Sequence, residues 1–464
     1  MSLRGQGSHL YVRWQIRIKQ SQLALGGEFS LRHFLKLKKK QEDNHMNINQ
    51  YQDIIATKSG RVFLVDYLVG DIRECTEDDY VELLDNETAE LAKEYEVELE
   101  KIKSTQMTVV LIPTYGCNLK CEYCYEGCIT NTNDYSKLNI DTVIEAVLRI
   151  KEGFAYESVS FVMLGGEPIS GKNLKWFESF FCEFKKTGVS YEVNCISNGV
   201  NVINSIDSIL KIGVTNIQIT LDGMEEQQNK RRPSKDSAIN VFKSIVCGID
   251  VLLENHINVN VRINVDTNNI SDLTKLHNFF EQKNWWDNEH FSAYIYPISF
   301  NGNDSNASYP SEDEMLKMVT TELLNLDKCF FSLDFHGLDF ADQMLQGNIF
   351  YPSLTFCEAA TNQFVFNDTG NIYTCWWGTS IEEFKLSESK AIFSEKFNAN
   401  IAKWHNRKIN KIDECIKCKY RFLCGGGCSY KAHLNHGSFQ KGNCAPFKEN
   451  IRIFLDYLID AELI

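Results

Sequence analysis

The sequence predicts an α/β protein: a (β/α)6 partial TIM barrel with a small N-terminal α+β unit and a cysteine-rich C-terminal domain. Six short apolar runs, rich in β-branched and aromatic residues, alternate with helical stretches in the middle of the chain. A shorter stretch of strand and helix patterns precedes them, and seven of the sixteen cysteines lie in the last quarter. We divide the chain into a leader, an N-terminal unit, the barrel, linking helices and the cysteine-rich domain, at residues 1–45, 46–103, 104–300, 301–355 and 356–464.

Composition narrows the functional class. Hydrophobic residues make up 43% of the 464 residues, which is enough for a sizeable core. The net charge of −14 disfavours a protein that mainly binds nucleic-acid phosphates, and no apolar run reaches the roughly 18–20 residues that span a bilayer. No secretory signal is recognisable, so we expect a cytoplasmic protein without nucleic-acid or membrane partners. In a reducing compartment such as the cytoplasm, clustered cysteines bind metal or act in catalysis.

The leader is basic and poorly patterned. A nucleic-acid arm, a targeting peptide, and a vector-derived or mis-assigned start with the natural chain beginning near Met46 all remain open. We leave the leader out of the fold prediction.

In the N-terminal unit, strands are predicted around Ile54 and over Val62–Val65, with a turn at Ser59-Gly60 between them. A charged helix is predicted over residues 78–103. Its buried face is expected to consist of Val81, Leu84, Leu91, Tyr95 and Leu99. The unit either binds a partner peptide or caps the main domain.

The barrel strands are predicted at Met107–Ile112, Val159–Leu164, Tyr191–Ile196, Asn216–Leu221, Val259–Val265 and Phe291–Ile298. Helices are predicted near 140–153, 173–187, 202–212, 236–254 and 271–284. The expected N-caps are Asn139 or Asp141, Asn173 and Ser271. Because chemistry in such folds gathers beyond the carboxyl ends of the strands, those loops are where functional residues are expected.

The loop after the first barrel strand has the spacing C-x3-C-x2-C, formed by Cys117, Cys121 and Cys124. Three thiolates on one loop can bind three irons of a 4Fe–4S cluster and leave the fourth iron open to a small molecule. A zinc site is the alternative, because nearby Cys128 offers a fourth ligand.

Three further strand ends are polar or rich in glycine. The second strand runs into Gly165-Gly166-Glu167-Pro168, where the glycines allow close backbone approach and the carboxylate can accept hydrogen bonds from an amino group. The third and fourth strands end at Ser197-Asn198-Gly199 and Leu221-Asp222-Gly223. One such turn is ordinary, whereas four such ends on one rim indicate a shared ligand.

With these motifs, residues 107–298 resemble the radical SAM superfamily. The resemblance rests on the cysteine spacing, with an aromatic residue before the last cysteine, and on Gly-Gly-Glu-Pro at the expected strand. It implies that Cys117, Cys121 and Cys124 hold a 4Fe–4S cluster whose open iron binds the amino and carboxylate groups of S-adenosylmethionine. One electron passed to the sulfonium would release a 5′-deoxyadenosyl radical that abstracts hydrogen from an unactivated C–H bond.

The resemblance also implies contacts to S-adenosylmethionine. Tyr123 would lie near the adenine, and the segment Gly165-Gly166-Glu167-Pro168 would face the amino group. Ser197, Asn198 and Arg262 would contact the ribose or the carboxylate, although an ion pair inside the barrel is an equal alternative for Arg262.

A second cysteine array occupies the last quarter of the chain. Its later part has the spacing C-x2-C-x5-C-x3-C, and Gly425-Gly426-Gly427 permits tight turns within it. Such a framework binds metal, with two zinc sites as the alternative. The array resembles the SPASM domain, an iron–sulfur domain with two auxiliary 4Fe–4S clusters, and the chain would thus carry three clusters. The implied ligands are Cys357, Cys375 and Cys428 for one auxiliary cluster and Cys415, Cys418, Cys424 and Cys444 for the other.

Two positions depart from relatives with this domain. Tyr351 stands where some members have a further cysteine. The first auxiliary cluster is therefore expected to have an open iron for a substrate thiolate, unless Cys329 or a carboxylate fills the gap. Cys375 is followed by Trp376-Trp377 instead of the Asp of sulfatase-maturing members, which disfavours that branch. These two tryptophans either line a peptide channel or belong to the core.

The resemblance implies an oxidoreductase of an anaerobic or microaerobic bacterium that modifies a ribosomally made precursor peptide and takes electrons from a flavodoxin- or ferredoxin-like donor. We expect a Cys-to-carbon thioether, as in sactipeptide and ranthipeptide maturases, with the peptide leader bound by residues 46–103. Formylglycine formation in sulfatases, carbon–carbon crosslinking, and a non-catalytic iron–sulfur electron carrier are the alternatives. The remaining cysteines are assigned no role: Cys75, Cys128, Cys182, Cys195, Cys247 and Cys329.

Overall fold

The structure is a computed structural model that describes residues 46–47, 50–75, 81–82, 85–127, 138–298 and 309–464. The leader at residues 1–45 and Cys128 lie outside the described residues. Within the described ranges, no helix has both the length and the apolar character needed to cross a membrane.

The N-terminal unit is a three-stranded antiparallel sheet, a separate strand pair and one helix. Its elements are β1 (Met46–Asn47), β2 (Gln52–Ala56), β3 (Val62–Asp66), β4 (Asp71–Cys75), β5 (Val81–Glu82) and α1 (Asp85–Lys101). The sheet has the order β2-β3-β4, and β1 pairs in parallel with β5. The first two predicted strands are confirmed, but the predicted helix start at residue 78 is wrong. Val81 pairs with Met46 as a strand, so the helix begins only at Asp85.

Six parallel strands follow, and helices connect them. The strands are β6 (Gln106–Leu111), β7 (Ser158–Met163), β8 (Tyr191–Ser197), β9 (Val214–Thr220), β10 (Asn258–Val265) and β11 (Phe291–Pro297). The helices are α2 (Ile140–Gly153), α3 (Gly171–Lys185), α4 (Val202–Ile212), α5 (Glu225–Arg231), α6 (Val241–Glu254) and α7 (Leu273–Gln282). Neighbours in sequence are neighbours in the sheet, as in the β6–β7 register that pairs Val109 with Phe161. The predicted α/β fold with a parallel sheet is confirmed.

The helix starts show where local patterns mislead. Asn139 caps α2 as predicted, because its side chain accepts from the amide of Thr142. Asn173 and Ser271 are not N-caps: Ser170 and Asp272 hold those positions. The helix predicted from residue 236 begins only at α6, where Asn240 accepts from the amide of Lys243.

The C-terminal part of the chain extends the same sheet at both edges. Its strands are β12 (Ser332–Leu333), β13 (Gln363–Phe366), β14 (Asn371–Tyr373) and β15 (Lys385–Glu388). Its helices are α8 (Glu312–Leu323), α9 (Leu338–Leu345), α10 (Glu395–His405), α11 (Arg421–Cys424), α12 (Ser429–His436) and α13 (Phe447–Asp460). The sheet order is β12-β11-β10-β9-β8-β7-β6-β13-β14-β15. The predicted linking helices at 301–355 therefore include a strand, because β12 pairs in parallel with β11.

The apolar side chains of all three regions form one continuous core, to which Tyr67, Phe161 and Trp404 belong. The ring of Tyr67 in the N-terminal unit packs edge-on against Tyr420, with 4.8 Å between centroids. The N-terminal unit is therefore packed on the cysteine-rich region, as a cap would be.

Candidate functional site

The loop that follows β6 lies between two other segments. On one side the amide of Lys120 donates to the carbonyl oxygen of Pro233 over 2.9 Å. On the other side the amide of Glu167 donates to the carbonyl oxygen of Gly116 over 3.0 Å. These bonds place the cysteine loop at the carboxyl ends of the parallel strands, where the sequence predicts the chemistry.

The structure brings the thiols of Cys117, Cys121 and Cys124 together. Burial raises the pKa of Cys117 to about 12, and a neighbouring Cys121 thiolate raises it further. Burial likewise raises the pKa of Cys124 to about 12, with both other thiols adding to the effect. Side chains in such surroundings become thiolates when a cation binds them. Within the described ranges, no three His, Cys, Asp or Glu side chains are arranged to hold a single metal ion.

Glu167 is fully buried and its carboxylate binds protein groups. Oε1 accepts from the hydroxyl of Ser197 over 2.7 Å and from the amide of Ile169 over 2.9 Å. Oε2 accepts from the amide of Asn198 over 2.7 Å. The carboxylate thus ties the end of β7 to the end of β8, and its contact to an amino group of a ligand stays a prediction.

The two glycines before Glu167 are needed for packing. A Cβ on Gly165 would lie 2.7 Å from the carbonyl oxygen of Thr114, and one on Gly166 would lie 2.2 Å from that of Gly116. Both residues have positive φ, +92° and +41°. The close approach that the sequence predicts is therefore an approach to the cysteine loop itself; contact between Gly165–Pro168 and a ligand stays a prediction.

An unmatched donor lies beside the thiols. Asn198 donates from Nδ2 to Oδ1 of Asn118 over 2.7 Å and to Sγ of Cys117 over 3.7 Å. The Nδ2 atom of Asn118 is buried and has no hydrogen-bond partner among the described residues. Buried polar groups are normally paired, so a donor left over next to the thiol loop fits a ligand with acceptor groups.

Tyr123 is held by charged groups. Its hydroxyl donates to Asp222 and accepts from Nη1 of Arg232 over 2.6 Å. The guanidinium groups of Arg231 and Arg232 lie 5.3 and 5.8 Å from its ring centroid. Burial raises the pKa of Tyr123 well above its ordinary value, Arg232 opposes this, and Asp222 adds to it. Sequence reasoning missed the two arginines; the signal was a pair of consecutive arginines just after the fourth barrel strand.

Arg262 makes contacts inside the barrel. Its Nε donates to Oδ1 of Asn264 over 2.8 Å, and its guanidinium lies 3.9 Å from the ring centroid of Tyr296. It also opposes the burial that raises the pKa of Asp334. These contacts hold Arg262 inside the barrel, and its contact to the ribose or carboxylate of S-adenosylmethionine stays a prediction.

The C-terminal cysteines fall into two groups, which we call auxiliary group one (Cys357, Cys375, Cys428) and auxiliary group two (Cys415, Cys418, Cys424, Cys444). Burial is the main cause that raises the pKa of Cys375 well above its ordinary value, and the neighbouring Cys428 and Cys357 raise it further. Burial raises the pKa of Cys424 to about 12, and its neighbouring cysteines are the other three of group two. The structure therefore brings together the same cysteines that the resemblance grouped.

A glycine segment connects the two groups. Gly425, Gly426 and Gly427 all have positive φ, as the predicted tight turns require. A Cβ on Gly425 would lie 2.2 Å from the carbonyl oxygen of Thr355, two residues before Cys357. A Cβ on Gly427 would lie 1.9 Å from that of Asn443, which precedes Cys444. Glycine is needed here because the backbone of the segment touches both neighbouring backbones.

Cys329 is placed elsewhere. Burial raises its pKa, and its thiol is hydrogen-bonded to Tyr457 of α13. Among the described residues no cysteine is a neighbour that shifts this pKa, and completion of auxiliary group one by Cys329 or a carboxylate stays a prediction.

An aromatic stack joins the cysteine loop to auxiliary group one. The rings of Tyr125 and Trp377 stack with 4.3 Å between centroids, and Trp377 lies 5.5 Å from Tyr430. Tyr125 directly follows Cys124, and the other two rings come two residues after cysteines of group one. Trp377 is half-buried and packs against the core.

Comparison with known families identifies the central part of the chain. Residues 111–280 match the radical SAM superfamily. The chain contains a radical SAM domain. The match covers the cysteine loop, the Gly-Gly-Glu-Pro segment and the arginine pair.

The similarity to known proteins extends beyond the radical SAM domain. A cysteine-type anaerobic sulfatase-maturating enzyme of Clostridium novyi (strain NT) is 24% identical over 355 residues, which are 72% of this chain and 91% of that protein. The structure of anSMEcpe with bound AdoMet has a TM-score of 0.55 at 19% identity, over 77% of this chain and 97% of that one. Streptococcus suis SuiB bound to S-adenosylmethionine has a TM-score of 0.50 at 14% identity, over 87% and 98%. At these identities the structures establish a shared fold.

Proposed function

We propose that this radical SAM enzyme modifies a ribosomally made peptide by joining a cysteine sulfur to a carbon. The observation that carries the proposal is the asymmetry of the two auxiliary groups. Group two has four thiols, whereas group one has three, and the thiol of Cys329 is hydrogen-bonded to Tyr457. A cluster held by three thiolates has an iron free to bind a substrate thiolate.

The thiol loop and its neighbours fit the cofactors of such an enzyme. Cys117, Cys121 and Cys124 would hold one 4Fe–4S cluster, and the two auxiliary groups would hold two more. Together with S-adenosylmethionine, a cluster held by this loop would supply 5′-deoxyadenosyl radical chemistry. The chain's own residues would position these groups: Glu167 joins the loops at the strand ends, and Asn118 offers a buried donor without a partner among the described residues.

Oxidation of a protein cysteine to formylglycine is the second candidate. It is supported by the sulfatase-maturating relative from Clostridium novyi, of which this chain covers 91%. Trp376 opposes it, because it stands after Cys375 where sulfatase-maturing members of the family place an Asp. The two reactions share hydrogen abstraction from the substrate and differ in the fate of the sulfur, which the thioether retains and formylglycine loses.

Peptide mass distinguishes the candidates. The reconstituted enzyme is incubated anaerobically with S-adenosylmethionine, a reductant, and either a cysteine-containing peptide encoded beside its gene or a sulfatase-motif peptide. A thioether lowers the peptide mass by two hydrogens and removes one alkylatable cysteine. Loss of sulfur with gain of an aldehyde would support the second candidate, and unchanged mass of both peptides would contradict both.

We further propose a flavodoxin- or ferredoxin-like electron donor and binding of the peptide leader by residues 46–103. The packing of Tyr67 on Tyr420 supports the second point, because it places the N-terminal unit beside the cysteine-rich region. Deletion of the unit from the enzyme should raise the KM for a leader-bearing peptide and leave that for a leaderless peptide unchanged.

A further inference from the structure

Arg407 is a buried arginine between the two auxiliary groups. Its side chain is 2% exposed. Nε donates to the carbonyl oxygen of Phe439, and Nη2 donates to those of Gly426 over 3.2 Å and Lys441 over 3.0 Å. Gly426 lies between Cys424 of group two and Cys428 of group one, so the guanidinium is fixed at the junction of the groups.

These hydrogen bonds do not neutralise the charge. All three acceptors are uncharged carbonyl oxygens. Two other buried arginines have carboxylate partners: Arg231 pairs with Asp266, and Arg421 pairs with Glu96, each over 2.8 Å. Among the residues that the structure describes, no carboxylate lies within 4.0 Å of Arg407. An arginine does not lose its proton in a protein, and a buried cation is costly unless an anion compensates it.

Thiols of both auxiliary groups act electrostatically on Arg407. Burial acts to lower the pKa of Arg407, and Cys357 and Cys428 on one side and Cys415 and Cys424 on the other oppose it. Protonated thiols carry no charge, whereas metal-bound thiolates do.

We infer that Arg407 is the shared counter-cation of both auxiliary clusters and raises the reduction potential of each. This inference rests on the clusters of the proposed function. A fixed positive charge stabilises the more negative, reduced state of a cluster, and its effect is strong where water is excluded. Arg407 thus acts through the clusters, whose negative charge it stabilises, and is a positioning residue.

The test compares Arg407→Gln, which can donate hydrogen bonds without charge, with Arg407→Lys, which keeps the charge but lacks the planar fork. The control is Arg452→Gln, which removes one positive charge from α13, where Arg452 pairs with Glu449 and Asp456. Potentials of all three clusters are measured by redox titration with EPR detection on the full-length holoenzyme. Arg407→Gln should shift both auxiliary potentials negative, with at least a tenfold change in the oxidised-to-reduced ratio, about 59 mV for one electron. Arg407→Lys should stay near the wild type.

Each other outcome overturns a defined statement. If both Arg407 variants lose iron equally and Arg407→Lys does not retain wild-type potentials, the residue serves only through its hydrogen bonds and the inference is wrong. Equal shifts in Arg452→Gln would reduce the effect to net charge and also overturn it. Iron analysis of the wild type separates the two proposals: about four irons per chain instead of about twelve would remove the auxiliary clusters themselves.

Discussion

The amide of Glu167 donates a hydrogen bond of 3.0 Å to the carbonyl oxygen of Gly116, the residue before the first cysteine of the thiol loop. A Cβ added to Gly166 would lie only 2.2 Å from the same oxygen. The Gly-Gly-Glu-Pro segment and the thiol loop therefore contact each other backbone to backbone, and a change on one side displaces the other.

Gly166→Ala should displace the thiol loop. The new methyl group meets the backbone of Gly116, which cannot rotate away as a side chain would, so we expect about 1–3 kcal/mol lost in unfolding free energy and less iron retained. Gly171→Ala is the matched control, because Gly171 also has positive φ (+32°) but nothing within 4 Å of the added atom. Anaerobic thermal denaturation and iron analysis report both effects; equal losses in the two variants would contradict the steric argument.

Cys117→Ala should abolish release of 5′-deoxyadenosine, because two thiols would remain on the loop to bind the cluster. The nucleoside is quantified by chromatography after reduction with dithionite. Cys182→Ala is the control, since Cys182 is exposed and belongs to none of the three thiol groups. Persistent release by the Cys117 variant would show that the loop is assigned wrongly.

Trp377→Ala should uncouple nucleoside release from peptide modification. The substitution removes the ring stacked on Tyr125 and leaves the thiol loop in place, so deoxyadenosine still forms while the peptide is held less well between the loop and auxiliary group one. We expect the ratio of deoxyadenosine to modified peptide to rise several-fold, and Trp377→Phe to keep it near the wild-type value. An unchanged ratio in the alanine variant would make Trp377 an ordinary packing residue.

Asp334 should make stability depend on pH. Burial raises its pKa to about 6, against the opposing charges of Arg262 and His336. Because this pKa is above the ordinary value of a carboxyl group, the folded state favours the protonated form. The contribution of Asp334 to stability is thus fully present below pH ~4 and is lost as pH rises through about 6.

Asp334→Asn is uncharged at every pH and tests this sign. It should exceed the wild type in stability by about 2 kcal/mol at pH 8, and the advantage should shrink as the pH falls to 5. Denaturation midpoints of both proteins across this range measure the difference. If the stability difference between Asp334→Asn and the wild type does not change with pH, the difference arises from packing and not from ionisation.

Tertiary contacts revised what local patterns suggested for several residues. The carboxylate of Glu167 accepts hydrogen bonds from Ser197 and Asn198 at the end of the next strand, which its own turn does not indicate. Tyr123 was recognised only as an aromatic residue before a cysteine, whereas its partner Asp222 is 99 residues away. No spacing within one loop carries information about a partner so distant in the chain.

The amino-acid sequence alone determined the six β/α repeats and the three-thiol loop, whereas the grouping of the C-terminal cysteines was predicted from the family resemblance. The alternation of apolar runs with helical stretches predicts the strands and helices. The spacing of ligands within one loop is set by the covalent geometry of the chain. The tertiary structure decided that β13 joins β6 in one sheet, that Cys329 binds Tyr457, and that Arg407 lies between the auxiliary groups. These relationships join residues far apart in the chain, and only the packing of one continuous core selects which of them meet.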